Sequence, residues 1–151
     1  MKWITREHPK IDRIACPWLI SRYIDQDPEF LFVAPDRVLD EARTTGATPY
    51  DVPGVSLTHF DGKCSFDAFL DQYDLDEACL QDLAVIVRGA DTDRLDLAPQ
   101  SAGLLAVSLG LSRNFPNDHE MLAHGMIVYD ALYAWCRHAR GETHTWNYPA
   151  Q

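Results

Sequence analysis

The stretch DRIACPWLISRYID, residues 12–25, determines how the first third of the chain is interpreted. Its apolar residues recur at the spacing of one buried helical face. They are Cys16, Leu19, Ile20, Tyr23 and Ile24. Proline is tolerated at the first helical position, where an N–H would have no partner, so Pro17 indicates where this helix begins. The sequence therefore predicts a helix with Cys16 at or near its N-cap, on the inner face.

Outward from this helix, short apolar segments alternate with helical ones. Residues 2–5, 29–35 and about 55–59 are predicted strands, and residues 36–45 a second helix that ends at Gly46. This β-α-β-α-β order is typical of a small, largely parallel sheet.

The rest of the chain is predicted to be helical. The expected helices cover residues 66–73 after Ser65 as N-cap, a segment from Asp76 with Cys79 on its inner face, residues 100–109 ended by Gly110, and a last segment from Asn117 to about Arg140. We therefore expect an α+β fold, in which a small mainly parallel β-sheet in the N-terminal half packs with a helical C-terminal half. Residues 1–141 are expected to form a single domain, and residues 142–151 a loose C-terminal tail.

The last predicted helix is apolar on nearly all sides. Leu122, Met126 and Tyr129 lie on one stripe, while Ile127 and Trp135 lie on the opposite side. A helix with this pattern is expected to be buried on both sides. It is either the central helix of the domain or part of a homodimer interface.

Charge and cysteine content narrow the function classes. The 151 residues carry a formal net charge of −10, from 13 basic and 23 acidic residues, which argues against nucleic-acid binding by this chain alone. A net charge of −10 is still compatible with a local basic pocket. There is no apolar stretch of the ~20 residues that cross a bilayer and no signal segment, so we expect no membrane association. The four cysteines form no CxxC pair, which favours a reducing, cytoplasmic location.

Cys16 has two interpretations. A thiol at a helix N-terminus near arginines has a lowered pKa, and it would be a catalytic candidate for redox or sulfur-transfer chemistry. A cysteine on an apolar stripe is also typical of an inert buried residue, and the periodicity favours this second interpretation.

Four arginines are candidate ligands for an anion. Arg6, Arg13 and Arg22 flank the first helix, and Arg88 follows the fourth. Guanidinium groups suit bidentate binding of oxyanions, although each can instead pair with a neighbouring carboxylate. Arg13 is the strongest of these candidates, because it lies just before the predicted helix start, where backbone N–H groups also favour an anion.

His59 ends the third predicted strand, and ligands gather at the carboxyl ends of strands in α/β sheets. A histidine there can donate to an anion or bind a metal. Asp91 and Asp93 follow a helix and are candidate metal ligands together with His59. The spacing matches no standard zinc pattern, and turn-forming aspartates and a loop histidine explain the same residues. A divalent metal is therefore one alternative, and the cofactor remains unknown.

Four segments of the chain resemble the chromate resistance domain of the ChrB type. They are residues 2–25, 51–69, 86–112 and 129–137, and together they span nearly the whole chain. The family domain occurs as the C-terminal half of ChrB proteins or beside a rhodanese-like sulfurtransferase domain. The resemblance implies a cytoplasmic bacterial protein of chromate or oxyanion stress, usually encoded beside a chromate transporter. It implies no established reaction.

Three functions are compatible with the sequence. The first is binding of a tetrahedral, chromate-like oxyanion by the arginines and His59. The second is a metal-dependent enzyme, or a thiol-based one that acts through Cys16. The third is an interaction module that partners a sulfurtransferase or a chromate transport system.

Overall fold

The computed structural model describes residues 1–145, and its N-terminal part is built around a three-stranded sheet. The strands are β1 (Lys2–Arg6), β2 (Glu29–Val33) and β3 (Thr48–Pro49), all parallel, in the order β2-β1-β3. Successive side chains of β1 point to opposite faces, so Trp3 enters the main core and Ile4 a second cluster under the helix after β2.

Six α-helices lie among the described residues. They are α1 (Asp12–Leu19), α2 (Val38–Thr45), α3 (Ser65–Gln72), α4 (Ala78–Asp91), α5 (Ser101–Asn114) and α6 (Asp118–Ala134). Short π-helical turns continue α1 at Ile20–Ile24 and α6 at Trp135–Ala139, and a 3-10 turn at Pro35–Arg37 precedes α2. The predicted α+β class, with a small parallel sheet in the N-terminal half, is confirmed.

Helix α1 is the central helix, and it packs against α3, α4 and α6. Two polar contacts join α6 to α1 and to Ile11, the residue before it. The Tyr129 hydroxyl donates to the Ile11 carbonyl at 2.8 Å, and Trp18 Nε1 donates to Asp130 at 2.8 Å. Because α1 is enclosed on several sides, its first residue is held rigidly, and this residue contributes to the site described below.

The predicted start of the first helix is wrong. Helix α1 begins at Asp12, so Pro17 lies inside it and Cys16 is not near the N-cap. A proline inside a helix removes one backbone hydrogen bond. The side chains from Ile14 to Ile20 are buried, and this burial outweighs the lost bond.

The third strand is also displaced from its expected position. It lies at Thr48–Pro49, and residues 51–63 form turns and bends in place of the strand expected at about 55–59. Residues 55–59 form a loop, and the Leu57 side chain of this loop packs into the core.

Several helix ends differ by a few residues from expectation. Cys64, and not Ser65, caps α3, Glu77 precedes α4, and α5 continues through Gly110 to Asn114. Gly110 does not end the helix because glycine only weakens a helix interior by about 1 kcal/mol. The predicted start of the last helix is confirmed, since the Asn117 side chain accepts from the Glu120 N–H at 3.0 Å.

Helix α6 is buried on one side only. Met121, Leu122 and Tyr129 are enclosed, whereas Ile127 is 66% exposed. The expectation that this helix is central is therefore wrong, and a homodimer through its outer side stays a prediction.

Of the expected tail, residues 142–145 have no regular secondary structure and 146–151 lie outside the described residues. Within the described part of the chain, no helix combines the length and apolar character that crossing a bilayer requires.

Candidate functional site

Four side chains from separate elements meet near the start of α1. Asp12 is the first residue of α1, Asp51 follows β3, His59 lies in the loop after it, and Asp91 ends α4. His59 Nε2 lies 3.0 Å from Asp91 Oδ2, 3.3 Å from Asp12 Oδ2 and 3.4 Å from Asp51 Oδ1. We call these four residues the His59 cluster.

The His59 cluster is closed on its inner side and open at His59. The Asp12 side chain is only 3% exposed, whereas that of His59 is 44% exposed. Asp51 and Asp91 are also largely buried. His59 is therefore the member of the cluster that is most accessible from solvent.

Three carboxylates face a single imidazole nitrogen. One N–H can donate along only one of the three directions, so the cluster holds more acceptors than His59 has hydrogens to offer. Burial raises the pKa of Asp12 to about 7, and contacts with Asp12, Asp51 and Asp91 raise the pKa of His59 to about 12. Both shifts favour the protonated form, because the carboxylates are crowded together in a largely buried site around one imidazole.

Asp51 differs from the other two carboxylates because it has its own cations. Arg6 Nη2 lies 2.5 Å and Arg13 Nε 3.3 Å from its Oδ2, and Ser65 Oγ donates to Oδ1 at 2.8 Å. Although burial opposes the shift, contacts with His59, Ser65 and Arg6 lower the pKa of Asp51. Asp51 is therefore paired with two arginines, whereas among the described residues Asp12 and Asp91 have His59 as their one ionic partner.

The same contacts determine what Arg6 and Arg13 can bind. Arg13 Nη1 also donates to the carbonyls of Arg6 and Glu7, at 2.9 and 3.1 Å. Both guanidinium groups are thus engaged by protein acceptors beside the cluster. An oxyanion bound there would have to displace Asp51.

The other two arginine candidates lie elsewhere. Arg22 forms a bidentate pair with Asp130 of α6, and Arg88 forms one with Asp67 of α3, with bonds of 2.5–3.0 Å. The Asp67 side chain also accepts from the backbone N–H of Cys64 and so caps α3. These two pairs connect helices, and neither arginine joins the His59 cluster.

Cys16 is an interior residue of α1 with no exposed surface. Burial, followed by the charge of Asp12, raises the pKa of its thiol well above the usual value. This shift is opposite to the one that a helix N-terminus would give. The inert interpretation is the one that this environment supports.

The structure brings together two of the three residues considered as metal ligands. Ligand atoms of Asp12, His59 and Asp91 all lie within 4.8 Å of one another, and Asp93 is not part of this set. Asp93 follows the end of α4 with a φ of 57° and is exposed.

Sequence reasoning did not select Asp12 and Asp51. Asp12 lies four residues before Cys16 and thus on the apolar stripe of the first helix. A carboxylate on that stripe is expected to be buried. This unusual position could have identified Asp12 as a candidate site residue from the sequence. Asp51 follows a two-residue strand with φ 52°, and nothing in its local pattern distinguishes it from a turn residue.

A known protein family matches most of the chain. The model of the family "ChrB, C-terminal domain" matches residues 3–136, which include every member of the His59 cluster. The chain belongs to this family. This confirms the resemblance seen in the sequence.

One curated relative is Protein ChrB of Cupriavidus metallidurans, to which this chain is 33% identical over 133 residues. The match covers 87% of this chain and 40% of the relative, so the chain spans about two fifths of that protein's length. No solved structure matches this chain.

Proposed function

We propose that this chain is a divalent-metal-binding domain that serves chromate resistance, with the ion held by Asp12, His59 and Asp91. The observation that carries the proposal is the convergence of carboxylate oxygens on His59 Nε2 at 3.0–3.4 Å. A divalent cation between these atoms would replace the His59 proton and compensate the charges of Asp12 and Asp91.

The donor set indicates the class of ion. One imidazole nitrogen and two carboxylates suit first-row divalent ions such as Mn²⁺, Fe²⁺ and Zn²⁺. Three protein ligands leave positions for water or an added ligand, as catalytic metal sites do. Asp91 ends α4, where the helix dipole also favours a cation.

The surrounding residues would hold the ligands in place. Asp12 Oδ2 accepts from the Ser65 N–H at 3.2 Å, at the N-terminus of α3. Asp51 is fixed by Arg6, Arg13 and Ser65. Outer contacts of this kind orient metal ligands and contribute to affinity.

This geometry supports a metal better than an oxyanion held by Arg6 and Arg13. A dianion at those guanidinium groups would compete with Asp51 and would lie near Asp12, a second carboxylate. Repulsion by two buried carboxylates opposes such binding. Oxyanion binding at these arginines, a cytoplasmic location and a homodimer stay predictions, and so does partnership with a sulfurtransferase or a transporter.

The role in chromate resistance rests on the family alone. The match to the ChrB C-terminal domain covers residues 3–136 of this chain. Protein ChrB of Cupriavidus metallidurans is more than twice as long as this chain. A metal centre with open positions would let this domain bind or transform a small molecule during chromate stress.

Metal content is the direct test. The purified protein is dialysed separately against Mn²⁺, Fe²⁺ under anaerobic conditions, and Zn²⁺, and bound metal is measured by inductively coupled plasma mass spectrometry. The wild type should bind one ion per chain. Asp91→Asn should weaken binding about 10–100-fold or more, because loss of an outer contact alone has that effect.

Asp93→Asn is the matched control, two residues further along. Asparagine tolerates the positive φ of Asp93 as well as aspartate does, so this variant keeps the fold and should bind metal as the wild type does. Equal metal affinity of D91N and the wild type, or only traces of metal in the wild type, would contradict the proposal. Circular dichroism separates loss of a ligand from loss of the fold.

A further inference from the structure

A cavity lies on the open side of the His59 cluster. Its volume is about 390 Å³, more than ten times the ~30 Å³ that one water occupies in the liquid. His59 is part of its wall. The other lining residues are Phe60, Asp61, Gly62, Lys63, Thr92 and Arg94. Because His59 is also the exposed member of the cluster, a ligand in this cavity adjoins the proposed metal site.

Two tight turns form the walls of the cavity. Phe60 and Lys63 exchange backbone hydrogen bonds of 3.2 and 2.7 Å across Asp61 and Gly62, which both have positive φ. Asp-Gly is the pair that this two-residue turn favours. The backbone hydrogen bonds of this turn therefore fix the Cα position of Lys63 at the edge of the cavity.

The second wall follows the end of α4. The Thr92 hydroxyl donates to the Arg88 carbonyl at 2.7 Å, and the Arg94 N–H donates to the Gly89 carbonyl at 3.0 Å. Arg94 is thus held three residues beyond Asp91, the proposed metal ligand. Hydrogen bonds within the chain therefore fix the backbone of both walls.

The two cations of the cavity are available to a ligand, unlike Arg6 and Arg13. Lys63 is 3.4 Å from Asp71, and Arg94 pairs with Asp96, but all four side chains are at least 40% exposed. Exposed ion pairs contribute little, so Lys63 and Arg94 can exchange their partners. The Arg13–Asp51 pair is largely buried, and an anion cannot displace it so easily.

We propose that this cavity binds a small tetrahedral oxyanion, with Lys63 and Arg94 as its charged contacts. The inference rests on the proposed function, since the metal at Asp12, His59 and Asp91 would offer its open coordination positions to the same anion. Asp61 is the one carboxylate in the lining, and the Thr92 hydroxyl is already used as a donor to the Arg88 carbonyl. Because Asp12 and Asp91 would balance the charge of the metal, the electrostatic attraction for an oxyanion comes from Lys63 and Arg94, against the single carboxylate of Asp61 in the lining.

The test uses the full chain loaded with Mn²⁺, with metal content measured in every sample. Inorganic phosphate, sulfate and chromate are titrated separately by isothermal titration calorimetry at constant ionic strength. At least one of them should bind the wild type. The double variant Lys63→Met and Arg94→Met should bind it about tenfold more weakly or worse, since two charge-assisted contacts are lost, with unchanged metal content.

Two further variants make the result specific. Asp61→Asn should tighten binding about two- to fivefold, because it removes an exposed like charge. Arg43→Met, on the exposed side of α2, is the control and should leave binding unchanged. Normal metal content with no binding of any of the three anions, or with unaltered affinity in the double variant, would overturn the inference. Metal-free wild-type protein would instead overturn the proposed function, and the inference with it.

Discussion

Replacement of Gly89 by alanine tests how closely α4 is held beside the candidate site. An added Cβ would lie 2.3 Å from Ser101 Oγ, 3.0 Å from Ser101 Cβ and 2.9 Å from the Arg94 carbonyl oxygen. Ser101 is fully buried, and its hydroxyl donates to the Ile86 carbonyl at 2.9 Å. The new methyl group must therefore displace α5 or the turn at Arg94.

The expected loss of stability follows from three contributions. Overpacking of a well-packed interior costs about 1–3 kcal/mol, and loss of the Ser101 hydrogen bond costs about 1 kcal/mol. Alanine recovers about 0.5–1 kcal/mol because it favours a helix interior over glycine. The net change in the free energy of unfolding is a loss of roughly 1–3 kcal/mol, or about 3–10 °C in Tm for a chain of this size.

Urea unfolding followed by tryptophan fluorescence and by circular dichroism measures this change. Gly110→Ala is the matched control, because Gly110 is also within a helix but has no atom within 4 Å of an added Cβ. The control should gain about 0.5–1 kcal/mol. If Gly89→Ala is as stable as Gly110→Ala, the close approach of α4 and α5 is wrong.

Two further results are expected. Cys16 should not react with a thiol reagent at pH 8 in the native protein, because burial raises its pKa; half-buried Cys79 should react first, and mass spectrometry of the labelled peptides checks this order. Arg88→Ala should destabilise the protein by about 2–4 kcal/mol, because the largely buried Asp67 loses its partner, whereas Arg43→Ala at an exposed pair should change stability by less than about 1 kcal/mol. Rapid labelling of Cys16, or equal unfolding midpoints for the two arginine variants, would contradict these expectations.

The first helix shows what periodicity predicts and where it fails. The apolar spacing correctly predicted a helix with Cys16 on its buried face. The helix start was wrong because local rules treat Pro17 as an N-terminal residue, whereas tertiary burial keeps it inside the helix. Likewise, the apolar pattern of α6 gave no indication that Ile127 is exposed.

The candidate site was only partly predictable for a different reason. His59 and Asp91 were selected by their positions at element ends, and the structure brings them within 3.0 Å. Asp12 and Asp51 join them from distant segments, and Arg6 and Arg13 turn toward Asp51. Which carboxylate an arginine contacts depends on tertiary packing, and a single sequence contains no local signal for it.

The packing of α6 on α1 also has a consequence for protein synthesis. Tyr129 contacts Ile11, and Asp130 contacts Trp18, across sequence separations of 118 and 112 residues. At about 5–20 residues per second, the ribosome needs about 5–20 s to make the helix that covers α1. During that interval α3 and α4 can already pack on α1, but the side that α6 covers has no partner, so a nascent chain of this protein presents a hydrophobic surface that chaperones can bind.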